Sequence, residues 1–343
     1  FRAPNLVQVN QAQVARFGSR IDAVYKYITE NNTTTASGMD KDSKYTIQRF
    51  ATGAENLQSE ESTNSSIGFV IQPEQLEGLT ITYDAWKIEK DKTIGLFGRD
   101  NHTVLDLAML IENGANNCDS FTGNSAVLRD TDELDDGVLA LFATAGICPV
   151  GQAYRVTDEY INMAKRTLEG QDVGVNYNFD TDVGTFRFKY NVTFTDTFKQ
   201  VPTGNFSTIQ NAQASGAIPD YIVLKGFGDL LGIDGNYDEK HSMKLSWRKG
   251  DWGASLSGLK KGSFTQSSLT LGDGTKYNIP SMTTMDASVY YKFKVGDGSA
   301  RIKFAVKNLE DTRAPTADRF FGFFADAHQD YGRNYYLSLK VDM

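Results

Sequence analysis

Three histidines, two cysteines and two acidic runs are the side chains with which this chain could do chemistry. His102, His241 and His328 lie far apart, and none has a His or Cys beside it at zinc-site spacing. No G-x-S-x-G elbow, P-loop or dinucleotide fingerprint occurs. Lys225-Gly226-Phe227-Gly228-Asp229-Leu230-Leu231-Gly232 has glycine spacing alone, with no preceding strand to aim it at a phosphate. The acidic runs Asp130 to Asp136 and Asp180 to Asp182 read either as solvated loops or as calcium sites, and calcium needs six or more oxygens. Two carboxylates meeting in space could hydrolyse a substrate, but no pair here is marked out for it. The sequence therefore predicts no catalytic residue, no metal site and no cofactor.

Cys118 and Cys148 are an isolated pair. Outside the cytoplasm such a pair reads as one disulfide, closing a loop of about 30 residues worth about 3 kcal/mol in the chain-entropy model. Two unpaired buried thiols are the alternative. Aromatic side chains are abundant between the regular segments: Tyr25, Tyr27, Tyr45, Phe97, Tyr154, Tyr160, Phe206, Phe227, Tyr237 and the run Phe320 to Phe324. They can recognise a ligand by stacking and hydrogen bonding. They can equally pack the loops on one another.

The elements that would position these residues are strands. From Gly184 to Phe198, Phe186, Phe188, Tyr190, Val192 and Phe194 share one face, with Thr185, Arg187, Lys189, Asn191 and Thr193 on the other. The same period-2 pattern recurs at 67–71, 79–88, 173–179, 242–248, 252–257, 285–295, 301–307 and 335–343, predicting nine strands. A parity change at Trp86 and Ile88 predicts a bulge. Turns near 73–78, 180–184, 248–251 and 296–299 are short. The alternate connections, roughly 1–60, 97–165, 200–238, 259–281 and 309–333, are long. Helical spacing appears within them at Val14, Phe17, Ile21, Val24, Tyr25 and Ile28, and over Thr103 to Asn113 and Asp135 to Thr144.

Composition fits this reading. With 7 Pro and 31 Gly among 343 residues, the chain suits long backbone ladders joined by tight turns, since proline cannot donate to a ladder. The net charge of −8 leaves no overall basic footprint for nucleic acid. Mean hydropathy is −0.40, and the longest apolar-leaning run, Gly137 to Ile147, falls short of the ~18 residues of a membrane helix. Crossing strands remain open, because only alternate residues need be apolar. Short turns on one side and long loops on the other describe an outer-membrane barrel, with Phe179, Phe186, Trp247, Trp252 and Phe293 placed as an interfacial girdle. The charged face would then line a lumen. Nine strands cannot close such a barrel alone, so the segment is expected to be the C-terminal piece of a longer wall. A secreted β-sandwich adhesin and a diffusion porin of about 16 strands are the alternatives.

Five short segments carry a family resemblance. Phe1-Arg2-Ala3-Pro4-Asn5-Leu6, Asn56-Leu57-Gln58-Ser59-Glu60-x-Ser62 with its hairpin, Gly170-Gln171-Asp172-Val173-Gly174, Val306-Lys307-Asn308-Leu309-Glu310-Asp311 and Gly332-Arg333-Asn334-Tyr335-Tyr336-Leu337-Ser338-Leu339 resemble, in order, motifs of TonB-dependent outer-membrane receptors. Ser59, Glu310 and Met343 depart from that pattern. The resemblance implies an all-β transmembrane antiparallel barrel of 22 strands, of which residues 1–343 supply the last nine, with a plug and TonB box encoded earlier. It implies a bacterial outer-membrane location, a periplasmic C-terminus, assembly by the barrel-assembly machinery and energy from the TonB complex of the inner membrane. The cargo would be a scarce siderophore, cobalamin, oligosaccharide or peptide. Arg187, Lys189, Asp286, Tyr290 and Tyr336 are expected on the lumen face, and Tyr154, Phe206 and Tyr237 on ligand-contacting loops. The overall negative charge disfavours a strongly anionic cargo, which local charge at Arg187, Lys189 and Lys292 could override.

Overall fold

The computed structural model describes residues 23–24, 27–28, 47–202, 204–218, 222, 224–271, 275–319 and 321–342. The Phe1 to Leu6 motif, the helical spacing from Val14 to Ile21, Tyr25, Tyr45, Phe320 and Met343 lie outside those residues.

In chain order the elements are β1 (Gln48–Thr52), β2 (Glu61–Ile71), β3 (Leu79–Asp91), β4 (Ile94–Leu96), α1 (Arg99–Asn113), β5 (Val127–Arg129), α2 (Asp136–Ala145), β6 (Ala153–Asn162), β7 (Arg166–Thr181) and β8 (Gly184–Gln200). There follow α3 (Asn205–Ala214), β9 (Gly228–Asp229), β10 (Glu239–Lys249), β11 (Trp252–Lys261), β12 (Phe264–Thr270), β13 (Lys276–Ile279), β14 (Met282–Val295), β15 (Gly298–Lys307) and β16 (Asn334–Asp342).

The predicted strands form one antiparallel wall in the order β2-β3-β7-β8-β10-β11-β14-β15-β16, with the short β9 added to β8. Each wall strand pairs with its neighbours along this path, and among the described residues the wall does not close: neither β2 nor β16 has a second partner strand there. The alternation decides the faces. Phe186, Phe188, Leu245, Trp247, Ala254, Leu256, Val289 and Tyr291 fall in register on one side. Thr185, Arg187, Lys189, Lys244, Ser246, Ser255, Ser288 and Tyr290 fall on the other. Strands reach 17 residues in β8, beyond the roughly 9–11 needed to cross a bilayer. On the apolar face, rings beside the turns meet in pairs: Phe179 with Phe186 at 5.2 Å and Trp252 with Tyr291 at 4.7 Å.

The bulge expected at Trp86 is absent. β3 pairs without a register shift from Leu79 to Asp91 against β2 and β7. Trp86 instead lies on the polar face over Gly170, where a Cβ would come within 2.5 Å of the indole. Missing side-chain volume on β7, rather than an extra backbone residue, accommodates the ring. The register shift falls on the next pair, where Gly170 faces Thr195 and Glu169 faces Thr197.

The long connections are folded. Between β3 and β7, α1, α2, β5 and β6 share a core with α3 that includes Val104, Leu107, Leu110, Phe142, Val156, Phe206 and Ile209. Sequence reading found α1 and α2 within a few residues. It missed α3, whose stretch NFSTIQNAQA buries only Phe206 and Ile209. Asp135, from the first acidic run, caps α2 by accepting from Val138 N at 2.9 Å. β1 and β6 pair in parallel, a local exception to the antiparallel wall. The connection between β11 and β14, a long loop by sequence pattern, holds a hairpin, β12–β13; it packs Phe264 and Ile279 against Ala317, Phe324 and Ala327.

Cys118 and Cys148 form a disulfide, so the free-thiol alternative falls. It ties the end of α1 to the segment after α2, across a separation of 30 residues. Changing both cysteines to serine is expected to lower the stability of this loop assembly by about 3 kcal/mol. Proteolysis of the oxidised full-length protein against the double variant measures it, and equal resistance would show the assembly held by its core alone.

Candidate ligand-binding site in the wall and its loops

The wall offers two concavities on its polar face. The first, of about 510 Å³, lies toward the short turns and is lined by Arg187, Lys244, Ser246, Arg248, Ser255, Ser288, Tyr290, Arg301 and Lys303, among others. Tyr290 can lie across the neighbouring strand because residue 253 is glycine, where a Cβ would stand 2.4 Å from the ring. The guanidinium of Arg301 lies 5.7 Å from the Tyr290 ring centroid. The second concavity, of about 640 Å³, lies toward the long loops and is lined by Thr284, Asp286, Lys307, Asn308, Gln329, Asn334 and Tyr336, with others. There Asp286 Oδ1 accepts from Asn308 N at 2.9 Å, and Lys307 Nζ sits 5.2 Å from the Tyr336 ring centroid.

A third cavity, of about 630 Å³, opens in the loop assembly between Phe97, His102, Thr157, Glu159, Asn162, Met163 and Phe206. One of its lining residues, His102, belongs to a buried polar network behind the cavity. His102 Nε2 lies 3.2 Å from Asp158 Oδ1, and Asp158 also accepts from Gly98 N. Asn124 Nδ2 donates to the His102 carbonyl at 3.1 Å, and Asn124 N donates to Asp106 Oδ1 at 2.9 Å. Arg129 closes the network with a short ion pair to Asp106. Burial pushes the Asp106 carboxyl above its ordinary range, while Arg129 and the Asn124 amide pull it back.

Burial pushes His102 below its ordinary value of 6.5, opposed by Asp158. The unfolded chain therefore takes up that proton first, so stability present above pH 6.5 is lost as pH falls from there toward the folded value. His102→Gln is expected to flatten this dependence in denaturation of the full-length protein from neutral to mildly acid pH. An unchanged slope would assign the dependence to another group.

The residues singled out in the sequence do not converge on one place. Arg187 and Tyr290 share the first concavity, and Asp286 and Tyr336 share the second. Lys189 lies on the same face, directly opposite Lys244, but not among the first concavity's lining residues. Phe206 borders the loop cavity yet is buried among Phe97 and other core residues. Tyr154 is exposed on β6, with the Arg155 guanidinium 5.8 Å from its ring. Tyr237 packs against the Phe264 cluster. Sequence reading passed over Lys244 and Arg248; their shared parity on β10 was the available signal.

A family model described as the TonB-dependent receptor-like β-barrel matches residues 1–309. The chain belongs to the TonB-dependent receptor family. This is a family of outer-membrane β-barrel transport receptors rather than enzymes, and the unclosed antiparallel wall is barrel wall of that type. Among solved structures, the siderophore receptor PirA of Acinetobacter baumannii is similar at 15% identity and a TM-score of 0.49, covering 84% of this chain and 32% of that one. The ferric enterobactin receptor PfeA of Pseudomonas aeruginosa is similar at 15% identity and a TM-score of 0.45, with 82% and 31% covered. The FrpB iron transporter of Neisseria meningitidis is similar at 11% and 0.45, with 84% and 32% covered. The chain thus spans about a third of the length of these receptors. No curated protein matches it.

Proposed function

We propose that this receptor segment forms wall and outer loops of an active importer, which captures a scarce nutrient at its extracellular loops and admits it with energy from the TonB complex. The family match over residues 1–309 carries the reading. The folded long connections beside a polar, cavity-bearing wall face agree with it. In this arrangement the short turns and the C-terminus face the periplasm, the apolar face meets outer-membrane lipid, and the barrel-assembly machinery inserts the wall. A plug encoded elsewhere in the protein would close the lumen. Asp286 and Tyr336 would meet the ligand in the wall, and Tyr154, Phe206 and Tyr237 are the loop aromatics nearest in kind to ligand contacts. Cargo of the types carried by the similar receptors, ferric siderophores or a metal, is one option alongside cobalamin, oligosaccharides and peptides.

Uptake by cells carrying the full-length receptor, compared with cells also lacking TonB, tests the reading. Accumulation of a co-purified nutrient is expected only with TonB present. Ion conductance that persists without TonB would point to a passive porin, and solubility without detergent to a secreted β-sandwich.

A further inference from the structure

We propose that the concavity near the short turns is a binding site for a multivalent anion, a small molecule bearing two or more phosphate or carboxylate groups. Its place inside a transport lumen rests on the function proposed above; its anion chemistry rests on the wall itself. Five cations from three strands line about 510 Å³: Arg187 from β8, Lys244 and Arg248 from β10, and Arg301 and Lys303 from β15. That volume suits a small ligand.

Among the described residues, none of the five has a carboxylate within salt-bridge distance. The cluster stands in a chain that carries 43 Asp and Glu against 35 Lys and Arg. Toward the long loops three lysines do have carboxylate partners: Lys87 with Glu169 and Glu89, Lys92 with Glu61, and Lys260 with Glu239. Two carboxylates share the polar face at its turn end, and both are engaged, Asp180 by Thr185 Oγ1 and Asp342 by Lys340 Nζ.

Register adds a second, independent observation. Lys244 sits directly opposite Lys189, and Arg301 directly opposite both Lys292 and Lys340. Like charges in facing positions destabilise a sheet, and an anion held by Lys244 and Arg301 offsets that repulsion from the concavity side. The groups present are those that hold such an anion. Guanidinium forks bind carboxylate or phosphate through two parallel hydrogen bonds, and Arg301 is held against Tyr290. Ser246, Ser255 and Ser288 set hydroxyls between the cations. A concave seat with interleaved hydroxyls favours a compact anion over the broad contact that an acidic protein surface requires.

Calorimetry of inorganic triphosphate with the purified full-length receptor in detergent tests the site. Binding is expected to weaken with salt, to exceed that of inorganic monophosphate at least tenfold, and to fall at least tenfold in R301Q/K303Q and separately in K244Q. Lys260→Gln, altered at a paired lysine near the loops, is expected to bind as the parent does. Heat-modifiable gel migration confirms that each variant is a folded barrel. Equal binding by parent and both variants, or binding of poly-glutamate but not triphosphate, would overturn the proposal. Absent triphosphate binding with intact TonB-dependent uptake sinks the anion site alone; retained binding without uptake sinks the transport reading alone.

Discussion

Arg129→Met lowers the stability of the loop assembly by about 3–5 kcal/mol, the usual cost of stranding one partner of a buried ion pair. Asp106 is fully buried and Arg129 nearly so, and the two form the shortest contact of the network around His102. Without the guanidinium, the Asp106 carboxylate keeps only the Asn124 amide as a hydrogen-bond donor. It would then take up a proton at a higher pH than in the parent, so the loss grows as pH rises. Hydrogen exchange over α1 and β6 in the full-length receptor reads the effect. The double change Asp106→Leu with Arg129→Met is expected to recover much of it, because no charge then remains to be solvated. Recovery absent from the double variant would mean that the pair's geometry, rather than its charge balance, holds the assembly.

Phe142→Ala is expected to cost about 3–5 kcal/mol in the same assembly. The Phe142 ring is fully buried on α2 and meets Tyr27 edge-on at 5.7 Å. Its loss leaves a void in the core that α1, α2 and α3 share. Protease resistance of the loop should fall while the wall still migrates as a folded barrel. Collapse of both together would make loop and wall one cooperative unit. Additivity with Arg129→Met is a further readout, since distant, independent sites add within a few tenths of a kcal/mol.

The wall was legible because its strands carry opposite demands on their two faces. Phe186, Phe188 and Tyr190 against Arg187 and Lys189 leave no other regular conformation that separates them. The four hairpin pairings followed from the short turns. The loops were less legible, since their elements bury few residues each. α3 contributes only Phe206 and Ile209 to the core, too sparse a pattern for periodicity to register. Trp86 misled because parity alone cannot tell a bulge from a ring accommodated by a facing glycine, which is a property of the neighbouring strand. Site residues were hardest. Arg187 and Tyr290 were recognised separately, but only the register between β8, β10, β11 and β14 places them beside one cavity with Lys244 and Arg248.

The order of the wall strands has a consequence for how the wall comes together. β2–β3, β7–β8, β10–β11 and β14–β15 are local hairpins, while the pairings between hairpins must close across residues 92–165, 201–238, 262–281 and 308–333. For flexible chain, closing the first of these in place of a two-residue turn costs about 3 kcal/mol more in loop entropy. Elements formed within that segment, with Cys118 tied to Cys148, draw its ends together as β3 meets β7, and α3 then completes the core they share. The folded connection thus shortens the longest search among the described wall strands, and slowing its folding would delay the β3–β7 seam while leaving the four hairpins to form at their own rate.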